Sequence, residues 1–163
     1  MIPVSFNFKR YKAENVPQPI IDVTFTHKDK KVDFACVIDS GADYTLLPMS
    51  FGIMLGIDFE QIASKPLIRD FMYSDRADPT NIMDRIIEIG YGVIPTSSVC
   101  ACGKTTNCFL YPVFVKLGDN DLFPIMVIWT PNNVPPLLGR IGVFDKFSSV
   151  VFNKRNSDGS FIP

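Results

Sequence analysis

The chain has 163 residues, 47% of them hydrophobic and 20% charged, enough apolar material for one core and too much for a disordered tail, a collagen-like rod or a coiled coil. Its 16 basic residues stand against 17 acidic ones, a formal charge of -1, so no overall field draws it to nucleic acid or to an anionic membrane surface. No apolar run approaches the roughly 20 residues of a membrane helix, and Met1-Ile2-Pro3-Val4 lacks the charged start of a leader; a single domain over residues 1–163, soluble and cytoplasmic, is expected.

Taken in chain order, Ile2 to Phe8 alternates apolar and polar residues. Ile20–Thr26 and Lys31–Ile38 are rich in β-branched and aromatic residues and flank the polar turn His27-Lys28-Asp29-Lys30, which predicts a hairpin. After Pro48, the stretch Met49–Gly56 predicts a short helix begun by proline and ended at glycine, and Asp58 is placed to cap a second short turn, Phe59–Lys65. Arg85–Ile94 is β-prone but broken at Gly90 and Gly92. Leu110–Leu117 and Leu122–Trp129 are two further strands around the turn Gly118-Asp119-Asn120-Asp121. Pro131–Pro136 has too many prolines for a central strand. Ile141–Phe147 is a short helical candidate, Ser149–Asn153 a last strand, and the tail after Lys154 is polar until Phe161. The fold class is therefore mostly β with one or two short helices, a closed barrel rather than a layered α/β sheet, since crossover helices are missing. The core is expected over about residues 20–153.

The four cysteines are too few to staple a chain of this size. Cys36 lies on an apolar strand and reads as a small core residue. Cys100, Cys102 and Cys108 lie close together in Ile94–Phe109, and three readings apply: free thiols on a loop, a disulfide from Cys100 or Cys102 to Cys108, or a metal site. The C-x-C-x5-C spacing lacks the usual knuckle and the sole histidine, His27, is far off in sequence, so no metal is expected. Nor is any cofactor implied. A serine or cysteine hydrolase fails for want of a base, because His27 falls in a predicted turn.

Chemistry concentrates in Val37-Ile38-Asp39-Ser40-Gly41-Ala42-Asp43-Tyr44-Thr45-Leu46-Leu47-Pro48. A carboxylate at the end of an apolar strand needs something to satisfy it. Asp39 there is what an Asx turn looks like, and it is also what a catalytic acid looks like. Well downstream, Pro136-Leu137-Leu138-Gly139-Arg140 supplies two apolar residues, a glycine and an arginine. Together these motifs resemble those of the retropepsin-like aspartic proteases, in particular the bacterial single-domain members, over roughly Ile20–Asn153.

That resemblance implies an aspartic endopeptidase fold and mechanism: two carboxylates sharing one proton, one of them activating a water. The chain carries one such Asp-Ser-Gly, so the dyad would take one Asp39 from each subunit of a homodimer acting on a polypeptide. By the same resemblance Ser40 would hydrogen-bond across the dimer, Gly41 would let substrate backbone approach, and Ala42 and Asp43 would line the cleft. Asp43 would pair with Arg140, either partly buried near the cleft or as a surface ion pair worth little, with Gly139 as structural support, and the chain termini would interleave at the interface. Gly90-Tyr91-Gly92 is either a flap closing over substrate or a plain turn. The stretch around 95–109 reads as an insertion relative to a minimal flap. The rival reading is a catalytically silent dimerisation or peptide-binding module on the same fold.

Overall fold

A computed structural model describes residues 1–10, 16–63, 94–99 and 105–163, the stretch 94–99 as backbone alone. The predicted hairpin is its framework: β2 (Gln18–His27) and β3 (Lys30–Ile38) pair antiparallel from Ile20↔Val37 to His27↔Lys30, following the strand β1 (Val4–Lys9). Lys28, the first residue of the two-residue turn, has φ 55°, as twist-matched hairpin turns require. Along β2, Val23 and Phe25 are fully buried while Asp22 is exposed, the alternation of a strand with one face on a core. His27 is not a turn residue. It closes β2 and is only 3% exposed, its Nδ1 3.3 Å from the Leu55 carbonyl oxygen and its Nε2 3.3 Å from the Tyr111 hydroxyl.

Beyond β3 come β4 (Thr45–Pro48), α1 (Met49–Met54) and α2 (Phe59–Ala63). Pro48 holds φ at -60° immediately before α1, the geometry a helix start wants. The Asp58 carboxylate accepts the Gln61 N–H at 2.9 Å, capping α2. Then follow β5 (Ile94–Val99), β6 (Thr105–Leu117), β7 (Phe123–Thr130), the two-residue β8 (Leu137–Leu138), a 3-10 turn at Phe144–Lys146, β9 (Ser149–Asn153) and β10 (Asp158–Ile162). These strands form one mixed sheet in the order β5-β6-β7-β4-β8-β3-β2-β1-β10-β9. Because β2 also pairs with β6, Val23↔Leu117 to Thr26↔Phe114, the strands β6, β7, β4, β8, β3 and β2 close into a ring. Trp129, Phe25, Leu47, Leu55, Leu117 and Leu138 fill it, all of them fully buried.

Within the stretch around 95–109, β5 pairs with the first half of β6, Ile94↔Leu110 to Val99↔Thr105. Cys108 lies in that hairpin as a buried free thiol; Cys100 and Cys102 lie outside the described residues. Cys36 is the buried core thiol expected, its ionisation pushed far up by desolvation. The polar tail is also a strand. In β10, Asp158 and Ser160 face outward while Gly159 and Phe161 face the core, so the inward face carries one side chain where a strand pattern shows two. Gly159 is needed there because the Phe6 ring lies over it, where a Cβ would stand. β10 pairs with β1, Val4↔Phe161 to Asn7↔Asp158, tying the two ends of the chain together. Among the described residues no helix is long and apolar enough to cross a membrane.

Phe161 is fully buried, with its ring 5.7 Å from Phe6, 5.6 Å from Phe144 and 5.0 Å from Phe147. The tail is therefore part of the monomer core. Phe161→Ala is expected to cost about 3–5 kcal/mol, and truncation after Asn153 to abolish cooperative melting; a truncated chain that melts like the full one would refute this. Burial lowers the His27 pKa from its usual 6.5, so the unfolded chain takes up a proton there before the folded one does. Stability from this group is complete above pH 6.5 and falls as pH drops from there toward the lower folded value, below which the loss levels off. Thermal melts across that window should show a steeper pH dependence for the wild type than for His27→Gln.

Candidate functional site

The site is made where two remote stretches of chain cross. β8 lies parallel to the end of β3, Val37↔Leu137 and Ile38↔Leu138, and antiparallel to β4 at Leu46↔Leu137. Val37 N–H donates to the Pro136 carbonyl at 2.9 Å and Asp39 N–H to the Leu138 carbonyl at 3.0 Å. The parallel ladder thus runs through the backbone of Asp39 itself, which fixes where its side chain leaves the sheet. Beyond it the chain turns, Ala42 N–H donating to the Asp39 carbonyl at 3.2 Å, and returns past the downstream motif. There Arg140 N–H reaches the Ala42 carbonyl at 3.0 Å and Ile141 N–H the Asp43 carbonyl at 2.7 Å. These long-range bonds join the two motifs that the sequence held apart.

Gly139 is the pivot of the crossing. It is buried, its N–H donates to Thr45 Oγ1 at 3.3 Å, and a Cβ there would fall on the Tyr44 carbonyl group and 2.8 Å from the Thr45 nitrogen. No side chain fits between two backbones this close. Thr45, fully buried, is the site residue that sequence reasoning missed. Its signal was a hydroxyl standing among Leu46, Leu47 and Pro48, a place where a buried polar atom needs a partner.

The remaining residues cluster at the surface of this crossing. Asp39 is half-buried, and Ser40, Gly41 and Asp43 are exposed. Gly41 N–H donates to Asp39 Oδ1 at 2.8 Å, the Asx geometry, which orients the carboxylate. The Arg140 guanidinium pairs with the Asp43 carboxylate. Of the two readings the surface pair holds: its side chains are 52% and 64% exposed. Solvent therefore screens it. Gly90, Tyr91 and Gly92 lie outside the described residues. Among the described residues no three His, Cys, Asp or Glu side chains converge on a position that could hold a metal ion. What the crossing offers is an oriented carboxylate, held at a strand end by backbone bonds and flanked by small residues.

No family model matches the chain, and no curated protein matches it by sequence. Among solved structures, the chain is similar to a retropepsin-like aspartic protease from Rickettsia conorii, with a TM-score of 0.51 and 13% sequence identity, over 98% of this chain and 89% of that one. At that identity the likeness is one of fold. The chain thus has a mostly β fold of retropepsin-like architecture, with two short α-helices among the described residues.

The two residues of the downstream motif should respond to alanine with very different magnitudes. Gly139→Ala forces the Tyr44–Thr45 peptide away from residue 139 and is expected to cost several kcal/mol, on the order of 3 or more. Arg140→Ala removes an exposed pair worth about 1 kcal/mol or less. Equal melting temperatures for wild type and Gly139→Ala would show that the crossing is not as tight as described.

Proposed function

We propose that the protein is an aspartic endopeptidase in which Asp39 supplies one half of a catalytic dyad and a second copy of the chain supplies the other. The observation that carries this reading is the placement of Asp39: an oriented carboxylate at the end of β3, bonded through its backbone to Leu138, on a fold shared with a retropepsin-like aspartic protease. A lone carboxylate is a poor catalyst of amide hydrolysis. Two of them within a few Å cannot both ionise, so they share a proton; the ionised one takes a proton from the attacking water and the protonated one gives its own to the carbonyl oxygen.

In this arrangement Gly41 N–H holds Asp39 Oδ1 and leaves the rest of the carboxylate for water. Ser40, exposed beside it, would hydrogen-bond across the dimer. Ala42 and Asp43 would line the cleft and meet the substrate main chain, with Arg140 keeping Asp43 oriented and Gly139 keeping the crossing closed. Gly90-Tyr91-Gly92 would cover the bound polypeptide. Water and two carboxylates complete the chemistry, so no metal or organic cofactor enters it.

One observation favours a second reading. The Asx bond from Gly41 to Asp39 Oδ1 is also what a purely structural turn would make, as in a catalytically silent dimerisation or peptide-binding module. Asp39→Asn separates the two. It keeps the volume and an oxygen for the Gly41 N–H but cannot carry the shared proton, so peptide cleavage assayed from pH 4 to 7 should fall by at least about 1,000-fold while the protein keeps its fold and its oligomeric state. Undiminished cleavage by Asp39→Asn would remove Asp39 from the chemistry, and a wild type that cuts no peptide under any of these conditions would establish the silent module.

A further inference from the structure

Thr26, on β2, is 6% exposed, and its hydroxyl oxygen is buried without a hydrogen-bond partner. Among the described residues no other buried side-chain polar atom lacks one. A buried hydroxyl left unpaired costs stability, and folded chains keep few of them. Val23 and Phe25 turn into the core, so strand alternation sends Thr24 and Thr26 to the outer face of the sheet. Thr24 satisfies its hydroxyl there, donating to Asp33 Oδ1 at 2.6 Å.

On that face Thr26 helps to wall a depression of about 260 Å³, with Lys31, Lys116, Asp119, Asp121 and Leu122 around it. The register explains why these side chains gather. Lys31 stands opposite Thr26 in the ladder between β2 and β3, and Lys116 stands opposite Thr24 in the ladder between β2 and β6. The two lysines therefore flank the threonines from opposite sides. Asp119 and Asp121 come from the turn between β6 and β7, which is pinned by Asn120: its side chain bonds the Ile2 backbone and the Leu117 carbonyl. Among the described residues none of the four charged groups takes part in an ion pair.

We propose that this depression binds a small zwitterion, a free α-amino acid with an apolar side chain. Its carboxylate lies between Lys31 and Lys116 and accepts the Thr26 hydroxyl, reached as the flexible lysine stems swing outward. Its ammonium group faces Asp119 and Asp121, and its side chain rests on Leu122, which is 45% exposed. The charge pattern points to this class of ligand. A phosphate dianion would meet two carboxylates and a simple cation two ammonium groups, whereas a ligand carrying both signs is attracted at each end. The volume sets the size, since it falls below the ~300 Å³ at which drug-sized sites begin. Lys31 is near the start of β3 and Asp39 just beyond its end, roughly 25 Å away at ~3.3 Å per residue, so the site stands apart from the candidate dyad.

Titration of the full chain with L-leucine, followed by amide chemical shifts and thermal melts, tests the site. Isocaproate, isoamylamine and inorganic phosphate serve as probes carrying one sign of charge each. L-Leucine should bind with a dissociation constant on the order of 1 mM, and each single-sign probe about 10-fold more weakly. Thr26→Val exchanges an unpaired hydroxyl for a methyl group of the same shape, so it should melt no lower than the wild type while binding L-leucine about 10-fold more weakly. Thr26→Ser, which keeps the hydroxyl, should keep the binding. Asp121→Asn, on the exposed turn, should weaken L-leucine and spare isocaproate. Asp39→Asn should bind L-leucine as the wild type does. The proposal is overturned if L-leucine shows no saturable binding, if phosphate binds as tightly as L-leucine, or if Thr26→Val binds undiminished.

Discussion

The hydrogen bond from the Asp39 N–H to the Leu138 carbonyl is the contact on which the rest of this structure depends. It is the last rung of a short parallel ladder between β3 and β8, strands separated by most of the chain. A parallel ladder cannot be closed by a tight turn, so everything between these strands must fold back before the rung can form. Once formed, it sets the exit of the Asp39 side chain. It also brings Gly139 against Tyr44 and Thr45 so closely that glycine is the residue the space admits.

The ring of strands explains why that rung is rigid. β8 is two residues long, too short to hold itself, but it is wedged between β3 and β4 and its Leu138 is fully buried. β4 in turn lies parallel to β7, Thr45↔Val127 to Pro48↔Thr130, and β7 pairs with β6, which returns to β2. A displacement of Asp39 relative to Gly139 must therefore move buried side chains such as Leu47, Trp129 and Phe25, and close-packed interiors resist that. The polar groups at the surface of the crossing, Asp43 and Arg140 among them, do less. Their pair is solvated, and the alignment of their backbones is secured by the bonds from Arg140 and Ile141 to Ala42 and Asp43.

The ends of the chain carry a second constraint of the same kind. β1 and β10 pair with each other, and the buried rings of Phe6, Phe147 and Phe161, with the half-buried Phe144 against them, sit beneath them. Apolar surface that would otherwise be left for a partner to cover is thereby taken into the monomer. Among the described residues at the two ends, Met1, Ile2, Val151, Phe152 and Ile162 stay between 39% and 49% exposed.

From its sequence alone, the protein is determined to be mostly β, with the hairpin of β2 and β3, a proline-started α1, an Asp58 cap and the turn before β7, because each of these is written in residues adjacent in the chain. The two motifs of the candidate site were legible for the same reason, as was the role of Cys36. Tertiary structure alone decided whatever depends on a distant partner. It turned the polar tail into β10, since the inward space at Gly159 is filled by Phe6 from the other end of the chain. It buried His27 between Leu55 and Tyr111, which no local pattern announces. It made Thr45 the partner of Gly139, gave part of the supposed insertion a strand register, and left the Asp43 and Arg140 pair in solvent. Periodicity and turn chemistry record what a residue does with its neighbours in sequence; which buried space each side chain fills is settled by the strands that arrive from elsewhere.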